Sequence, residues 1–211
     1  MNAIVTAPVE TTEYQKPDLQ TATDLDLPID VLQAAILFAG KQDTRFYLCS
    51  VALNQGHIVA TDGHRLLWCP WDIGALNLII PRDTVLNVIA KWKKLVKKER
   101  PAYVQLSRSS KDHWAINIVG GGSELFAAID AKYPEWQRVI KGNPTPQSSD
   151  PDNSYYVSYN WDYLADAKKA SLLIHGKTPI LLHKNQSQAG HIIFNSLAYP
   201  EAKALIMPMR D

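Results

Sequence analysis

One order of predicted secondary-structure elements recurs three times along this chain of 211 residues. In each unit, apolar residues spaced three and four apart predict one helix, and short apolar runs predict strands on both sides of it. Each unit therefore reads as a strand, a helix and three more strands, within about sixty residues. Such a repeat favours an α+β fold with antiparallel sheets that carry helices on one face.

The sequence predicts some elements of the three units more strongly than others. The leading strand of the first unit is faint, whereas Asp62-Gly63 and the glycines at 120–122 clearly predict tight turns between strands. Helices are predicted at 28–39, 81–96 and 161–171; strands are predicted at 25–27, 46–52, 57–61 and 65–69, then at 78–80, 103–106, 114–118 and 124–129, and finally at 155–158, 180–183, 191–194 and 204–207.

Two polar stretches divide the chain. Residues 1–24 are rich in Thr, Glu, Asp and Pro and predict a flexible arm. Residues 141–154 contain three prolines among small polar residues and predict a linker. The expected organisation is an arm, a domain of two units at 25–140, a linker, and a single unit at 155–211.

Composition narrows the classes of protein to consider. Hydrophobic residues make up 46% of the chain and charged residues 20%, which predicts a sizeable core. No apolar run approaches the roughly 20 residues that cross a bilayer, and the start lacks the pattern of a signal peptide. The only two cysteines, Cys49 and Cys69, are expected to be buried free thiols. These features predict a cytoplasmic protein without membrane association.

Enzyme motifs are absent from the sequence. It contains no phosphate-binding loop, no Gly-x-Gly-x-x-Gly after a strand and no Cys-x-x-Cys. His57 and His64 lack the helical spacing of a metal site, and His183 and His191 fall in different predicted strands. We therefore expect no enzyme activity, no cofactor and no bound metal.

Three separated motifs point to a family. They are residues 60–67 (ATDGHRLL), 133–139 (YPEWQRV) and 207–211 (MPMRD). Alone, a histidine in a tight turn is more often structural, and the last motif would be an ordinary strand end. Together and in this order, they resemble the bacterial DNA polymerase III beta sliding clamp, the ring that tethers polymerases to DNA. The resemblance implies the DNA clamp fold.

The resemblance also implies a groove that captures short peptides of replication and repair proteins. Methionine is flexible and polarizable, so Met207 and Met209 can adapt to different apolar anchors. Gly63 lets a peptide backbone approach closely, and the polar members of the set are expected to hold it by hydrogen bonds. One family position has no counterpart, which predicts a partly open groove. The implied residues are Leu48, Thr61, Gly63, His64, Arg65, Leu66, Pro134, Arg138, Val139, Asn160, Tyr163, Leu205, Met207, Pro208, Met209 and Arg210.

The resemblance covers only part of a clamp. Residues 25–140 resemble the complete middle domain, and residues 155–211 resemble the second half of the last domain. A normal clamp is a dimer of three-domain chains, and four chains of three units would supply the same twelve units. The sequence therefore raises the hypothesis of a tetramer, in which an otherwise exposed sheet edge finds its complement across an interface.

Basic residues are concentrated near the end of the second predicted helix. Net charge is only +1, but residues 91–100 contain six basic residues and one acid. A solvated helix face explains such a run, and so does a surface for phosphates. In a clamp this helix faces the DNA channel, which predicts salt-sensitive contacts without sequence specificity. The implied DNA-binding residues are Lys91, Lys93, Lys94, Lys97, Lys98, Arg100, Lys168 and Lys169.

Two functional hypotheses remain open on the sequence alone. The first is a processivity clamp around duplex DNA, with DNA polymerases, repair factors and a clamp loader as partners. The second is an adaptor or competitor that binds clamp-seeking peptides without encircling DNA.

Overall fold

A computed structural model of the chain describes residues 24–141, 158–176, 181–184, 190–193 and 199–209. Within these residues, two 3₁₀ turns, at Phe46–Leu48 and Lys97–Glu99, accompany the helices and strands. The elements are β1 (Leu25–Pro28), α1 (Ile29–Phe38), β2 (Ser50–Asn54), β3 (His57–Thr61), β4 (Arg65–Pro70), β5 (Leu78–Pro81), α2 (Arg82–Lys94), β6 (Tyr103–Arg108), β7 (His113–Ile118), β8 (Gly122–Ala127), α3 (Gln137–Lys141), α4 (Trp161–His175), β9 (Leu181–Lys184), β10 (Gly190–Ile193) and β11 (Lys203–Ile206).

The strands form two antiparallel sheets. One has four strands in the order β1-β6-β7-β8, and the other has seven in the order β5-β2-β3-β4-β11-β10-β9. Helices α1 and α2 pack on the sheets from one side, and α4 packs beside α1. This architecture confirms the predicted α+β class with antiparallel sheets and helices on one face.

The first two units exchange their leading strands. β1 belongs to the first unit but pairs with β6 of the second, and β5 belongs to the second unit but pairs with β2 of the first. Each leading strand ends in a proline, Pro28 or Pro81, which passes directly into a helix and favours an extended-to-helix transition. The exchange ties the first two units to each other through both sheets.

The third unit joins this domain through a strand pair. β11 pairs antiparallel with β4, so that Leu205 lies opposite Leu66 and Ala204 lies opposite Leu67. The seven-stranded sheet is therefore shared by the predicted domain and the predicted half-domain. The predicted arm at 1–24, except Asp24, the linker beyond 141, and most of the strand predicted at 155–158 lie outside the described residues.

Both faces of the seven-stranded sheet are buried at strands β2, β3 and β4. Side chains alternate along a strand, so neighbouring residues of β4 enter different cores. Leu67 and Cys69 pack under the helices, whereas Leu66 and Trp68 face the other side. There they meet the chain that follows β8, including Tyr133 and Trp136. The second core explains why strands of this sheet read as continuous apolar runs.

Several element boundaries differ from prediction for local reasons. The strand predicted at 46–52 starts as a 3₁₀ turn, closed by a bond from Leu48 N to Arg45 O, and becomes extended only at Ser50. α4 runs four residues past the predicted end because nothing stops it before Gly176, whose φ is 73°. The Asn160 side chain caps its start by accepting a bond from Asp162 N.

Three further expectations concern thiols, membranes and metals. Cys49 and Cys69 are free, but Cys49 is only half-buried; burial raises the pKa of Cys69 to about 12. Across the part of the chain that the structure describes, no helix is long and apolar enough to cross a membrane. In that same part, no group of three or more His, Cys, Asp or Glu residues is arranged to hold a metal ion.

Candidate functional site

A cavity of about 270 Å³ opens on the face of the seven-stranded sheet that is turned away from the helices. Its floor is a row of side chains from three adjacent strands. Thr61 of β3 lies opposite Leu66 of β4, which lies opposite Leu205 of β11. The pairing between β4 and β11 therefore creates the floor, and neither the first unit nor the third supplies it alone.

One wall of the cavity is formed by the segment that follows β8 and by α3. Ile129 N donates to Ile79 O at 3.0 Å and fixes the start of this segment to the sheet. Trp136 is buried and donates through Nε1 to Asn54 Oδ1 at 3.1 Å. With that anchor in place, Pro134 and Val139 line the cavity.

The turn between β3 and β4 is closed by side-chain hydrogen bonds. Asp62 Oδ1 accepts from the backbone N of His64 at 2.9 Å and of Arg65 at 3.0 Å. Thr61 Oγ1 donates to Arg65 O at 2.7 Å and accepts from Gly63 N at 3.0 Å. Gly63 has a φ of 91°, where a side chain would be strained. The turn thus presents His64 at the cavity in a defined position.

Arg65 fastens this turn to α4. The side chain is 6% exposed, and its guanidinium donates from Nε to Asp62 and from Nη1 to Asp166, both at 2.8 Å. The guanidinium carbon also lies 4.5 Å from the centre of the Tyr163 ring. Although burial opposes it, the bonds from Arg65 and Lys169 hold the pKa of Asp166 below its ordinary value. These contacts make Arg65 a positioning residue of the site.

The chain after β11 forms the far wall. Met207 N donates to His64 O at 2.8 Å, which holds the Met207 side chain at the cavity. Met209 N donates to Ser158 O at 2.8 Å, and the Met209 side chain is exposed. The His64 ring stacks on Tyr163 with centroids 6.3 Å apart. The end of the chain is therefore tied to both the turn and the start of α4.

The structure brings together most of the residues that the sequence predicted for a groove. Asn160 and Tyr163 line a second, more polar cavity of about 640 Å³, which also includes His64 and Arg65. Arg138 projects into solvent and pairs with Glu135 at 2.5 Å. The ten predicted residues that line the first cavity are Leu48, Thr61, Gly63, His64, Arg65, Leu66, Pro134, Val139, Leu205 and Met207.

Other residues of the site depart from the prediction. Pro208 and Met209 lie outside the lining of both cavities, and Arg210 lies outside the described residues. Four lining residues were not predicted: Arg45, Tyr47, Glu135 and Trp136. Glu135 and Trp136 belong to the motif at 133–139. The sequence alone does not indicate which side chains of this motif face the cavity, because that depends on the fold.

The residues predicted to contact DNA fall into two groups. Lys91 pairs with Glu124 at 2.6 Å, and Lys169 pairs with Asp166 at 3.1 Å. Arg100 donates to Lys93 O and Leu95 O and stacks over Trp92. These three side chains are engaged with neighbouring protein groups. The exposed members of the set are Lys93, Lys94, Lys97, Lys98 and Lys168.

Known proteins resemble the chain in both sequence and fold. The beta sliding clamp of Haemophilus influenzae is 29% identical over 184 residues, which are 81% of this chain and 45% of that protein. The beta sliding clamp of Escherichia coli K12 is 28% identical over 140 residues, which are 60% of this chain and 36% of that protein. No protein-family model matches the chain.

Comparison with solved structures identifies the fold of the chain. The Helicobacter pylori beta clamp bound to a DNA ligase peptide matches with a TM-score of 0.65 at 13% identity, over 94% of this chain and 69% of that one. The Bartonella birtlesii sliding clamp bound to griselimycin matches with a TM-score of 0.63 at 16% identity, over 95% and 70%. The chain is a distant homologue of part of the bacterial beta sliding clamp.

This clamp homologue spans less than half the length of the curated relatives it matches. Its DNA clamp fold is the one that the sequence predicted. Sliding clamps are non-catalytic, and the expectation that the chain is not an enzyme agrees with this homology.

Proposed function

We propose that this clamp homologue binds short peptides of DNA polymerases and repair factors in the 270 Å³ cavity. One observation carries the proposal: ten residues predicted from separate segments line a single cavity. Those segments span residues 48 to 207, so their convergence is a property of the fold and not of local sequence.

The size and lining of the cavity indicate what it would hold. The volume is near the lower end for ligand pockets, which suits one or two apolar side chains of a peptide. Leu66, Val139, Leu205 and Met207 supply apolar contacts, and Met207 can adjust its shape to different anchors. Exposed polar groups at the edge, such as His64, could bond an extended peptide backbone.

A relative offers a suitable probe for the first experiment. The Helicobacter pylori clamp binds a DNA ligase peptide. A fluorescent copy of that peptide, titrated with this protein, should show saturable binding by fluorescence anisotropy. Met207→Glu should weaken the binding at least tenfold, because it places a charge among apolar contacts.

Val119→Glu is the matched control, since Val119 is 79% exposed and lies in the turn between β7 and β8, outside the cavity lining. It should bind the peptide as the wild type does. Equal affinity for the wild type and Met207→Glu would refute the groove assignment, provided that both proteins show the same circular dichroism.

We further propose that the protein contacts duplex DNA without sequence specificity, as a processivity factor in the cytoplasm with a clamp loader as an additional partner. Four lysines at the end of α2 and in the 3₁₀ turn after it support this role: Lys93, Lys94, Lys97 and Lys98 are all exposed. Charges in solvent favour phosphate contacts. Peptide binding without DNA affinity would instead indicate an adaptor or competitor that does not encircle DNA.

A further inference from the structure

Helix α4 presents a row of exposed side chains on the side opposite its packed face. Trp161 is 82% exposed and Leu172 is 49% exposed. Because successive residues of an α-helix are turned by about 100° around its axis, the exposed Ala165 and Leu172 lie within about 40° of Trp161. Ala167 and Ala170, which are buried in the main core, lie on the other side of the helix. Trp161, Ala165 and Leu172 therefore form an exposed apolar row along α4.

The tryptophan of this row is the most exposed large apolar side chain that the structure describes. Covering apolar area stabilises a complex by about 25 cal/mol for each Å² that is removed from water. Tryptophan is also enriched in protein interfaces, because its large rigid ring supplies much contact area. The exposed row therefore indicates a surface of α4 that binds another molecule.

Two opposite charges lie beside the exposed row, on the same flank of the helix. Asp162 and Lys169 are both turned by about 80–100° from Trp161, in the same sense. Both are exposed, and Lys169 keeps 63% of its side chain in solvent although it pairs with Asp166 at 3.1 Å. The aspartate lies near the start of α4 and the lysine in its second half. The charges are therefore complementary to those of an identical helix that runs in the opposite direction.

We propose that α4 pairs antiparallel with α4 of a second copy of this chain. A two-fold axis at the midpoint of the exposed row places Trp161 opposite Leu172 of the partner subunit, and this contact occurs twice. Because the rotation keeps each flank on its own side, Asp162 faces Lys169 of the partner subunit, with an offset of about 3 Å along the helix axis. Ala165 lies near the two-fold axis, where its small side chain lets the helices approach closely.

A second copy suits this surface because one helix supplies both halves of every contact. The two apolar contacts and the two ion pairs are all formed from a single surface. The described side chains of α4 do not line the 270 Å³ cavity, so the proposal does not depend on peptide binding. The interface does include Lys168 and Lys169, two of the residues predicted to contact DNA. The dimer therefore excludes DNA from α4.

Light scattering on a sizing column, at several protein concentrations, tests the interface. The wild type should reach twice the mass of one chain, and Trp161→Glu should keep the mass of one chain at the same concentrations, with unchanged circular dichroism. Val119→Glu is the matched control, since Val119 is 79% exposed but lies in the turn between β7 and β8. It should dimerise as the wild type does. A monomeric wild type, or a Trp161→Glu protein with the wild-type mass, would overturn the proposal.

Charge reversal tests the antiparallel register. Asp162→Lys and Lys169→Asp should each dimerise roughly tenfold more weakly than the wild type in the same dilution series, because two attractive pairs become repulsive. An equimolar mixture of the two variants should recover the wild-type affinity, since each lysine then faces an aspartate across the interface. Circular dichroism of each variant checks that the helix is intact. A mixture that dimerises no better than either variant alone would contradict the pairing of α4 with itself.

Discussion

Arg65 illustrates how one residue can line a site and also hold it in place. The motif at 60–67 predicts a peptide contact for Arg65, and the structure shows in addition that its guanidinium pairs with Asp62 and Asp166. Asp166 lies 101 residues further along the chain. The ion pair therefore joins the first unit to the third and fixes the turn that carries His64.

Asp166→Asn should destabilise the protein at neutral pH by about 1–3 kcal/mol, because Arg65 loses a charged partner. The folded pKa of Asp166 is below the ordinary value of 3.8, so its contribution is present above that pH and is lost as the pH falls through the folded pKa. Urea unfolding from pH 7 to pH 3 should show the variant and the wild type converging in acid.

Asp112→Asn, an exposed change in the turn between β6 and β7, is the control and should match the wild type throughout. A difference between Asp166→Asn and the wild type that is the same at every pH would contradict this assignment of the ion pair.

Helix α1, like the turn that carries His64, is held by a residue that is distant in the sequence. Its end carries no basic residue in the last turn and no glycine cap. Instead, Arg82 Nη1 donates to the carbonyls of Ile36, Ala39 and Gly40 at 3.2–3.3 Å. Arg82 is the first residue of α2, so the start of one helix caps the end of another.

Arg82→Met should therefore expose the last carbonyls of α1 and cost about 1–2 kcal/mol in the free energy of unfolding. Hydrogen exchange should become faster at the end of α1, and Arg82→Lys should restore part of the protection. Lys98→Met, at an exposed lysine, is the control. Unchanged exchange near residues 36–40 in Arg82→Met would show that the cap is dispensable.

The elements themselves could be predicted because their signals are local. Helical spacing, turn glycines and prolines located the helix and the strands of the first unit within a few residues. The partners of the strands could not be predicted, since β1 with β6 and β4 with β11 pair across different units. Tyr47 and Arg45 were missed at the cavity for the same reason: only the fold brings them to it.

At the scale of the whole molecule, charge is distributed unevenly although the net charge is only +1. Four exposed lysines lie close together in the sequence: Lys93 and Lys94 at the end of α2, and Lys97 and Lys98 in the 3₁₀ turn that follows. Exposed cations that act together give binding that depends steeply on salt. The DNA proposal therefore predicts how steeply the affinity for duplex DNA falls with salt concentration, and not only the affinity itself.

Lys97→Gln combined with Lys98→Gln should weaken duplex DNA binding and reduce the slope of log affinity against log salt by about 0.9 for each phosphate that the protein no longer neutralises. Lys111→Gln with Lys132→Gln removes the same charge from two exposed lysines elsewhere and should leave the slope unchanged. Fluorescence titrations at several salt concentrations give both slopes. Identical slopes for the two variants would remove the 3₁₀ turn after α2 from the DNA surface.

The exchanged leading strands have a consequence for the order of synthesis. Leu25 of β1 pairs with Leu106, 81 residues later. At translation rates of 5–20 residues per second, β1 waits about 4–16 seconds for its partner. During that interval the nascent chain holds unpaired apolar strands outside the ribosome. A chaperone that engages nascent chains would meet this protein before its first domain can close.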